Sequence, residues 1–133
     1  MRLWHYKLIP VLPDKMLVAQ WRECIAIKRQ WEKGTLKHRL VSYVMNYDKA
    51  TLYDYFLKVA VEMNKRNINR NSKYIIEMND FCNDECATKY YEEHNNRYLK
   101  QCYYNLQEKY DRGIVLEKEW DKIVEHCMLY IDD

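Results

Sequence analysis

The sequence predicts an all-α fold, a compact single-domain bundle of about five helices. The chain has 133 residues, which is the size of one domain over residues 1–133. It contains only two glycines and two prolines, too few for a turn-rich β-sandwich or barrel. Hydrophobic residues make up 48% and charged residues 32%, a balance typical of a globular protein rather than a disordered tail.

The first predicted helix follows a loop framed by Pro10 and Pro13. Asp14 has the side chain of an N-cap, and the helix runs to Lys33, with Gly34 as its stop signal. Apolar residues at helical spacing predict one buried stripe along it: Leu17, Trp21, Cys24, Ile25 and Trp31.

Two shorter helices are predicted next. One covers residues 36–46, with four side chains directed inward: Leu40, Val41, Val44 and Met45. The other begins near Asp48 or Thr51, because Thr51 and Asp54 have the spacing of a capping box. Its predicted stripe consists of five residues: Leu52, Tyr55, Phe56, Val59 and Met63.

The second half of the chain predicts an irregular connection and two helices. Residues 67–83 contain five asparagines, which favours a connecting segment. A long helix is predicted over residues 84–112 before Gly113, with an apolar stripe: Leu99, Cys102, Tyr103, Leu106 and Tyr110. The last predicted helix covers residues 116–130, with its own stripe: Trp120, Ile123, Val124 and Cys127.

Basic and acidic residues are unevenly distributed. Residues 1–73 contain 15 Lys and Arg against 6 Asp and Glu, a net charge of +9, whereas residues 74–133 contain 7 against 14, a net charge of −7. A basic half suggests a polyanionic partner such as nucleic acid, and the acidic half offers a surface to a protein partner. The alternative is that the two halves neutralise each other across an interface within the fold.

Targeting signals and cysteines bear on localisation. No run of about 18 apolar residues occurs, so we expect neither a spanning helix nor a membrane partner. Residues 1–7 lack the apolar core of a signal peptide. An odd count of five cysteines without such a signal favours free thiols in a reducing cytoplasm.

The cysteines and histidines offer weak evidence for a metal site or a nucleophile. Cys82 and Cys86 are four residues apart and His94 follows them, but structural zinc sites need four ligands at closer spacing. Two half-buried thiols, or a Cys–His nucleophile pair formed by chance, are the alternatives. No Walker loop, GxGxxG or HExxH motif occurs, so we expect no metal and no cofactor.

Tyrosines are interleaved with basic residues between positions 47 and 74. Such interleaving suits stacking on bases beside phosphate contacts. The tyrosines concerned are Tyr47, Tyr53, Tyr55 and Tyr74. The alternative is that tyrosine simply fills core and surface positions in a chain that contains 13 of them.

Arg22 and Glu23 are charged residues set among apolar ones in the first predicted helix. If this face packs against the N-terminal segment, Glu23 is partly buried, and a partly buried carboxyl with a raised pKa can act as an acid or base. Arg22 would then pair with Glu23 or bind a phosphate. The alternative is a solvated ion pair on the helix surface.

Three stretches carry a resemblance to a known family. Residues 8–23, LIPVLPDKMLVAQWRE, align without gaps with its pattern of Leu, a short loop, Leu, Asp, and then Leu, Ala, an aromatic residue, Arg and Glu. Tyr47-Asp48-Lys49 falls where the family has the same triplet, just before its next long helix. Glu62 and the pair Lys65-Arg66 fit the family's ending, which is a Glu followed after a few residues by Lys-Arg. On these residues the chain resembles the pyrimidine-dimer DNA glycosylase (endonuclease V-like) family, and its start, MRLWH, resembles the bacterial branch.

The resemblance implies a largely helical enzyme that acts on damaged duplex DNA, at pyrimidine dimers or abasic sites. In that family the N-terminal amine attacks the sugar carbon bearing the base, a Schiff base forms, and β-elimination nicks the strand. The implied catalytic residues here are Met1 or Arg2, which carries the amine, and Glu23, which stabilises the cationic sugar and moves protons. Arg22 would contact the DNA near the lesion, and no metal is required.

Three positions depart from the family's pattern. Its nucleophile is a threonine exposed by removal of Met, whereas Arg2 stands here and Met1 is expected to stay. Met16 stands where the best-known member has a histidine, and Ala26 stands where a basic residue follows the Arg-Glu pair. These departures leave open an altered substrate, or a fold kept without the lyase chemistry.

The competing hypothesis is a non-catalytic helical module that binds nucleic acid, or a protein partner through its acidic half. Under it Glu23 does not matter, and basic side chains carry the binding. The basic residues that we expect to bind DNA are Arg22, Lys28, Arg29, Lys65 and Arg66.

Overall fold

The structure of the chain, a computed structural model, describes residues 1–83 and 89–131. In that part of the chain all regular secondary structure is helical, which confirms the predicted all-α class. The α-helices are α1 (Asp14–Lys33), α2 (Lys49–Lys65), α3 (Lys73–Cys82), α4 (Asn96–Asp111) and α5 (Glu117–Cys127). Two 3₁₀ segments complete them: Tyr6–Val11 and Ser42–Asn46. No helix among these residues is long and apolar enough to cross a bilayer.

The chain divides into two compact units. The first consists of Met1–Leu3 and Leu17–Tyr91, and the second of Trp4–Met16 and Glu92–Asp133.

The core of the first unit uses the stripes predicted for α1 and α2. The predicted α2 stripe is buried along its whole length, and Leu17, Trp21 and Cys24 of α1 are buried too. The rings of Trp21 and Phe56 stack with their centroids 4.1 Å apart. Helix α1 ends where predicted because Gly34 adopts a left-handed backbone conformation (φ +70°) that a side chain would disfavour.

The prediction of a helix over residues 36–46 is wrong, since only the 3₁₀ segment Ser42–Asn46 forms there. A 3₁₀ turn places residues three apart on one face. Val41 and Val44 are therefore both fully buried, whereas Leu40 and Met45 are exposed rather than inward.

The predicted irregular connection over residues 67–83 is also wrong over most of its length, because α3 occupies Lys73–Cys82. Its buried side chains are Met78, Phe81 and Cys82, which have the i, i+3, i+4 spacing of a helix face. Two of the five asparagines mark boundaries instead: Asn67 and Asn83 have positive φ angles, and Asn83 is the C-cap of α3.

The capping box expected at Thr51 and Asp54 does not form. Helix α2 begins at Lys49 with Asp48 as its N-cap, so Thr51 already lies in the first turn. The Thr51 hydroxyl is buried without a hydrogen-bond partner in the described part of the chain.

The second unit consists of the 3₁₀ segment Tyr6–Val11, α4 and α5. The segment replaces the predicted loop at Pro10, and a nitrogen of the His5 ring accepts a hydrogen bond from the Lys7 N–H at 3.1 Å. Helix α4 begins at Asn96, because Asn95 caps it by accepting from the Tyr98 N–H at 2.9 Å. The prediction of a helix from residue 84 is therefore wrong over residues 89–95, and residues 84–88 lie outside the described part of the chain. The predicted stripes of α4 and α5 supply the buried core: Leu99, Cys102, Leu106, Trp120, Ile123 and Cys127.

Candidate active site at the N-terminus

A hydrogen-bond network in the first unit joins the N-terminal segment to α1. Gln20 and Glu23 are three residues apart and so share one face of α1. The Gln20 Nε2 atom donates to the backbone oxygen of Arg2 at 2.8 Å and to Glu23 Oε2 at 3.0 Å. The Gln20 amide thus bridges the Glu23 carboxylate and the backbone of Arg2.

The same network reaches α2 through a fully buried contact. The Tyr55 hydroxyl donates to Gln20 Oε1 at 2.9 Å, and both side chains have no exposed surface. Gln20 and Glu23 come from α1 and Tyr55 from α2, and the Gln20 amide contacts both of the other side chains. We call Gln20, Glu23 and Tyr55 the N-terminal clamp.

Burial dominates the electrostatics of Glu23. It raises the pKa of this carboxyl, because a charged group loses hydration when it is partly enclosed. The positive N-terminal amine opposes the shift, followed by the hydrogen bond from the Arg2 backbone and by the charges of Arg2 and His38. The net direction is upward, so Glu23 is a carboxyl with increased proton affinity that lies within electrostatic reach of the amine. Of the two alternatives that the sequence left open for Glu23, the partly buried carboxyl is therefore the one that the structure shows, rather than the solvated ion pair.

Arg22 faces away from the clamp. Consecutive residues of an α-helix are about 100° apart around its axis, and Arg22 is exposed while Glu23 is half-buried. Arg22 makes no ion pair with any residue that the structure describes, so the predicted pairing with Glu23 is not present. It lines a cleft of about 710 Å³ on its own side of α1.

We call this cleft the cationic cleft. Its lining combines four basic side chains with two aromatic ones: Arg22, Arg29, Lys33, Arg70, Trp21 and Tyr74. The guanidinium of Arg29 lies over the Tyr74 ring at 5.7 Å from its centroid. The Arg70 Nε atom is buried and has no hydrogen-bond partner among the described residues. The cleft therefore presents positive charge together with an unused buried donor.

Lys33 and Arg70 were not among the predicted DNA-binding residues. A signal for Lys33 was available, because Arg22, Arg29 and Lys33 are spaced i, i+7, i+11 and so share a face of α1. Arg70 gave no such signal, since it lies in the irregular segment between α2 and α3.

The predicted DNA-binding residues fall into two groups. Arg22 and Lys65 are exposed, and Arg29 is exposed although it pairs with Glu77. Lys28 and Arg66 instead belong to internal ion pairs. The Lys28 Nζ atom is 2.6 Å from Glu32 and 3.0 Å from Glu77, and the Arg66 Nε atom is 2.9 Å from Glu62.

The pKa of Lys28 reflects that internal role. Burial acts to lower it, but the hydrogen bonds to Glu32 and Glu77 outweigh burial, so the pKa is raised. The hydrogen bond from Arg29 is the main reason that the pKa of Glu77 is lowered. Lys28, Arg29, Glu32 and Glu77 thus form three ion pairs within the protein.

The cysteines and histidines that the sequence offered as weak candidates for a metal site or a nucleophile are not grouped as such a site in the described part of the chain. Cys86 lies outside the described residues, and among the described residues no three His, Cys, Asp or Glu side chains are grouped as metal ligands would be. The four described cysteines are free and buried. Burial raises the pKa of Cys24, and it raises that of Cys127 to about 11, so both thiols are poor nucleophiles at neutral pH.

The described structure is thus that of a helical protein in which the Gln20 amide joins a half-buried carboxyl to the N-terminal segment, with a cationic cleft in the same unit. A family model described as pyrimidine dimer DNA glycosylase matches residues 1–76 of the chain. The match spans more than half of the sequence and contains every residue of the clamp and of the cleft lining. The chain belongs to the pyrimidine dimer DNA glycosylase family. Neither a curated protein nor a solved structure gave a significant match.

Proposed function

We propose that the protein is a DNA repair glycosylase with AP-lyase activity on duplex DNA that carries pyrimidine dimers or abasic sites. The N-terminal amine acts as the nucleophile, on Met1 or on Arg2 where Met1 has been removed, and Glu23 assists it. The observation that best supports this proposal is the half-buried Glu23 carboxyl, raised in pKa by burial and set against the N-terminal segment.

An α-amine suits this role because ordinary α-amines have pKa values of about 7.7–8.0, against about 10.4 for lysine. A usable fraction of an α-amine is therefore neutral and nucleophilic near pH 7. Its nitrogen forms a bond to C1′ of the damaged nucleotide, and the glycosidic bond breaks with its electron pair leaving on the base. The nitrogen then loses a proton, and its lone pair forms the C=N bond of the protonated Schiff base while the C1′–O4′ bond breaks and O4′ takes up a proton.

Strand cleavage follows from the same intermediate. Removal of a C2′ proton from the iminium intermediate gives an enamine. Its electrons then return from nitrogen to form the C2′–C3′ double bond and the iminium again, while the C3′–O bond breaks and the phosphate leaves with the bonding pair. In our proposal the ionised Glu23 stabilises the cationic sugar and iminium and accepts that proton. Partial burial supports both tasks, because it strengthens the charge interaction and raises the proton affinity of the carboxyl.

The cationic cleft supports the DNA-binding part of the proposal. Side chains that are not neutralised internally can replace the counterions of phosphate groups. We infer that Arg22, Lys33 and Arg70 contact phosphates, with Arg29 and the exposed Lys65 contributing at the margin. Lys28 and Arg66 act mainly inside the protein, since carboxylates already bind them.

Borohydride trapping tests the chemistry. The protein is mixed with duplex DNA that carries a thymine dimer or an abasic site, and the reduced adduct is located by mass spectrometry. We expect an adduct on the N-terminal residue, and we expect Glu23→Gln to lose strand cleavage while keeping its fold and its DNA affinity. Glu32→Gln is the matched control, because Glu32 is an exposed carboxylate of the same helix.

Each outcome of that experiment has a distinct meaning. Full nicking by Glu23→Gln would contradict the role of Glu23, and an adduct on a lysine would move the nucleophile. No adduct with either DNA, combined with salt-sensitive binding, would favour the non-catalytic binding module instead.

A further inference from the structure

We propose that Gln20 is a positioning residue that holds the N-terminal nucleophile beside Glu23, and that Tyr55 fixes the orientation of the Gln20 amide. This inference rests on the proposed function, and it assigns the positioning of the nucleophile to two buried residues of the same site. It is carried by the geometry of the N-terminal clamp.

The hydrogen-bonding capacity of the Gln20 amide is matched to its partners. An amide nitrogen carries two hydrogens and the amide oxygen only accepts. One nitrogen lies within 3.0 Å of the Arg2 carbonyl oxygen and of Glu23 Oε2, both of which are acceptors when Glu23 is ionised. The amide must therefore present its NH₂ group to them and its oxygen to Tyr55.

Tyr55 makes that orientation the favoured one. Its hydroxyl can donate to Gln20 Oε1 at 2.9 Å, and the contact has no exposed surface. A flipped amide would place two acceptors together at the Arg2 end, which is costly where water cannot compensate. The core of α2 thus holds the amide of α1 in the one orientation that binds the N-terminal segment.

The backbone of residue 2 is consequently held through its carbonyl oxygen. That oxygen accepts from Gln20 at 2.8 Å, and the same amide nitrogen donates to Glu23 at 3.0 Å. The nucleophilic amine belongs to the residue at this position or to the one directly before it. Restricting its backbone lowers the entropy that must be lost before attack, which is the usual effect of positioning on a reaction rate.

A purely structural role predicts different behaviour. Loss of a buried hydrogen-bonding group lowers the free energy of unfolding wherever the group lies. Only a positioning role predicts that the rate of the chemical step falls while the DNA affinity stays the same. If Gln20 is a positioning residue, its loss also moves the acid limb of the pH–rate profile to higher pH. The reason is that the hydrogen bond from the Gln20 amide to Glu23 favours the ionised carboxylate.

The test compares Gln20→Met and Tyr55→Phe with two exposed controls, Gln101→Met and Tyr104→Phe. We expect the trapping rate at saturating abasic-site DNA to fall at least tenfold in Gln20→Met and about threefold to tenfold in Tyr55→Phe. DNA affinity should stay within about twofold of the wild type, since no clamp residue lines the cleft. The controls should behave like the wild type in both measurements.

Hydrogen exchange of the DNA-free protein supplies a second readout that does not depend on activity. We expect the amides of residues 2 and 3 to exchange faster in Gln20→Met while the α2 core keeps its protection. Unchanged exchange at these amides, or an unchanged trapping rate in a folded variant, would overturn the inference. If Gln20→Met does not fold, Tyr55→Phe removes only one hydroxyl and decides the question in both assays.

A different result would reject the proposed function, namely the absence of any adduct with the wild-type protein. In that case the hydrogen-exchange measurement still decides whether the clamp holds the N-terminal segment. A wild-type adduct with unaffected variants rejects the positioning role alone.

Discussion

Lys28 and Glu77 are 49 residues apart in the sequence, yet the Lys28 Nζ atom donates to Glu77 Oε2 at 3.0 Å. Arg29 binds the same carboxylate through two of its nitrogens, at 3.1 and 3.0 Å. One acidic side chain of α3 thus binds two consecutive basic residues of α1. The segment that the sequence predicted to be irregular is a helix tied to the first helix by this group.

Lys28→Met tests whether this lysine is structural. Lys28 is only 7% exposed, and its removal leaves the part-buried Glu77 with fewer partners. We expect the free energy of unfolding to fall by about 1–3 kcal/mol, with no change in the salt dependence of DNA binding. Chemical denaturation and binding titrations measure the two quantities. Lys65→Met should show the opposite pattern, because Lys65 is exposed; identical behaviour of the two variants would contradict the assignment.

The cleft cations are tested by the salt dependence of binding. Each phosphate contact contributes about 0.9 to the slope of log K against log salt concentration on B-form DNA. Single substitutions of Arg22, Lys33 or Arg70 by glutamine should each reduce the slope by about this amount, and by similar amounts on undamaged DNA. Lys118→Gln, in the exposed surface of α5, is the control. Slopes that do not differ from the wild type would show that DNA binds elsewhere.

The helices that the sequence predicted best are those with a continuous apolar stripe. Helices α1 and α2 have such stripes over many turns, so local periodicity determines both their extent and their buried face. Helix α3 is short and lies in a segment, residues 67–83, that is rich in asparagine. Its stability depends on Glu77 and on a buried face of three residues, which are tertiary features. Local composition alone could not distinguish it from a loop.

The residues of the candidate site also differ in how well the sequence points to them. Glu23 was predictable because a charged residue beside an apolar stripe is conspicuous in one helix. Gln20 was not, since its partners Arg2 and Tyr55 are 18 and 35 residues away and a glutamine on a helix is ordinary. Sequence patterns identify groups with unusual neighbours along the chain, whereas the clamp is defined by neighbours in space.

Gly34 gives a direct test of the stop signal after α1. Its backbone is left-handed at φ +70°, and a Cβ atom built there meets nothing within 4 Å. The cost of Gly34→Ala is therefore conformational, and we expect the free energy of unfolding to fall by about 1 kcal/mol in chemical denaturation. Gly34→Asn should cost less, because asparagine tolerates this region. A stabilising effect of alanine would contradict the assigned backbone conformation.

The buried pair His5 and His94 should make the stability of the second unit depend on pH. Their rings stack with centroids 5.6 Å apart. Burial lowers the pKa of His5 to about 4 although the backbone at His94 and Asn95 acts in the opposite direction, and Lys7 lowers it further. Burial lowers the pKa of His94 to about 3, and the neighbouring His5 adds to the shift. Both rings are therefore neutral in the folded protein at pH 7.

The unfolded chain binds protons more readily at these two positions, because free histidine has a pKa of about 6.5. The stability that the neutral rings contribute is fully present above about pH 6.5 and is lost as the pH falls toward their folded pKa values. Below pH 6 the free energy of unfolding should fall by up to about 1.4 kcal/mol per pH unit for each histidine. Denaturation curves between pH 7 and pH 5 measure this slope before most carboxylates titrate. His94→Gln should reduce the slope, His38→Gln should not because His38 is exposed, and equal slopes in all three proteins would refute the assignment to the buried pair.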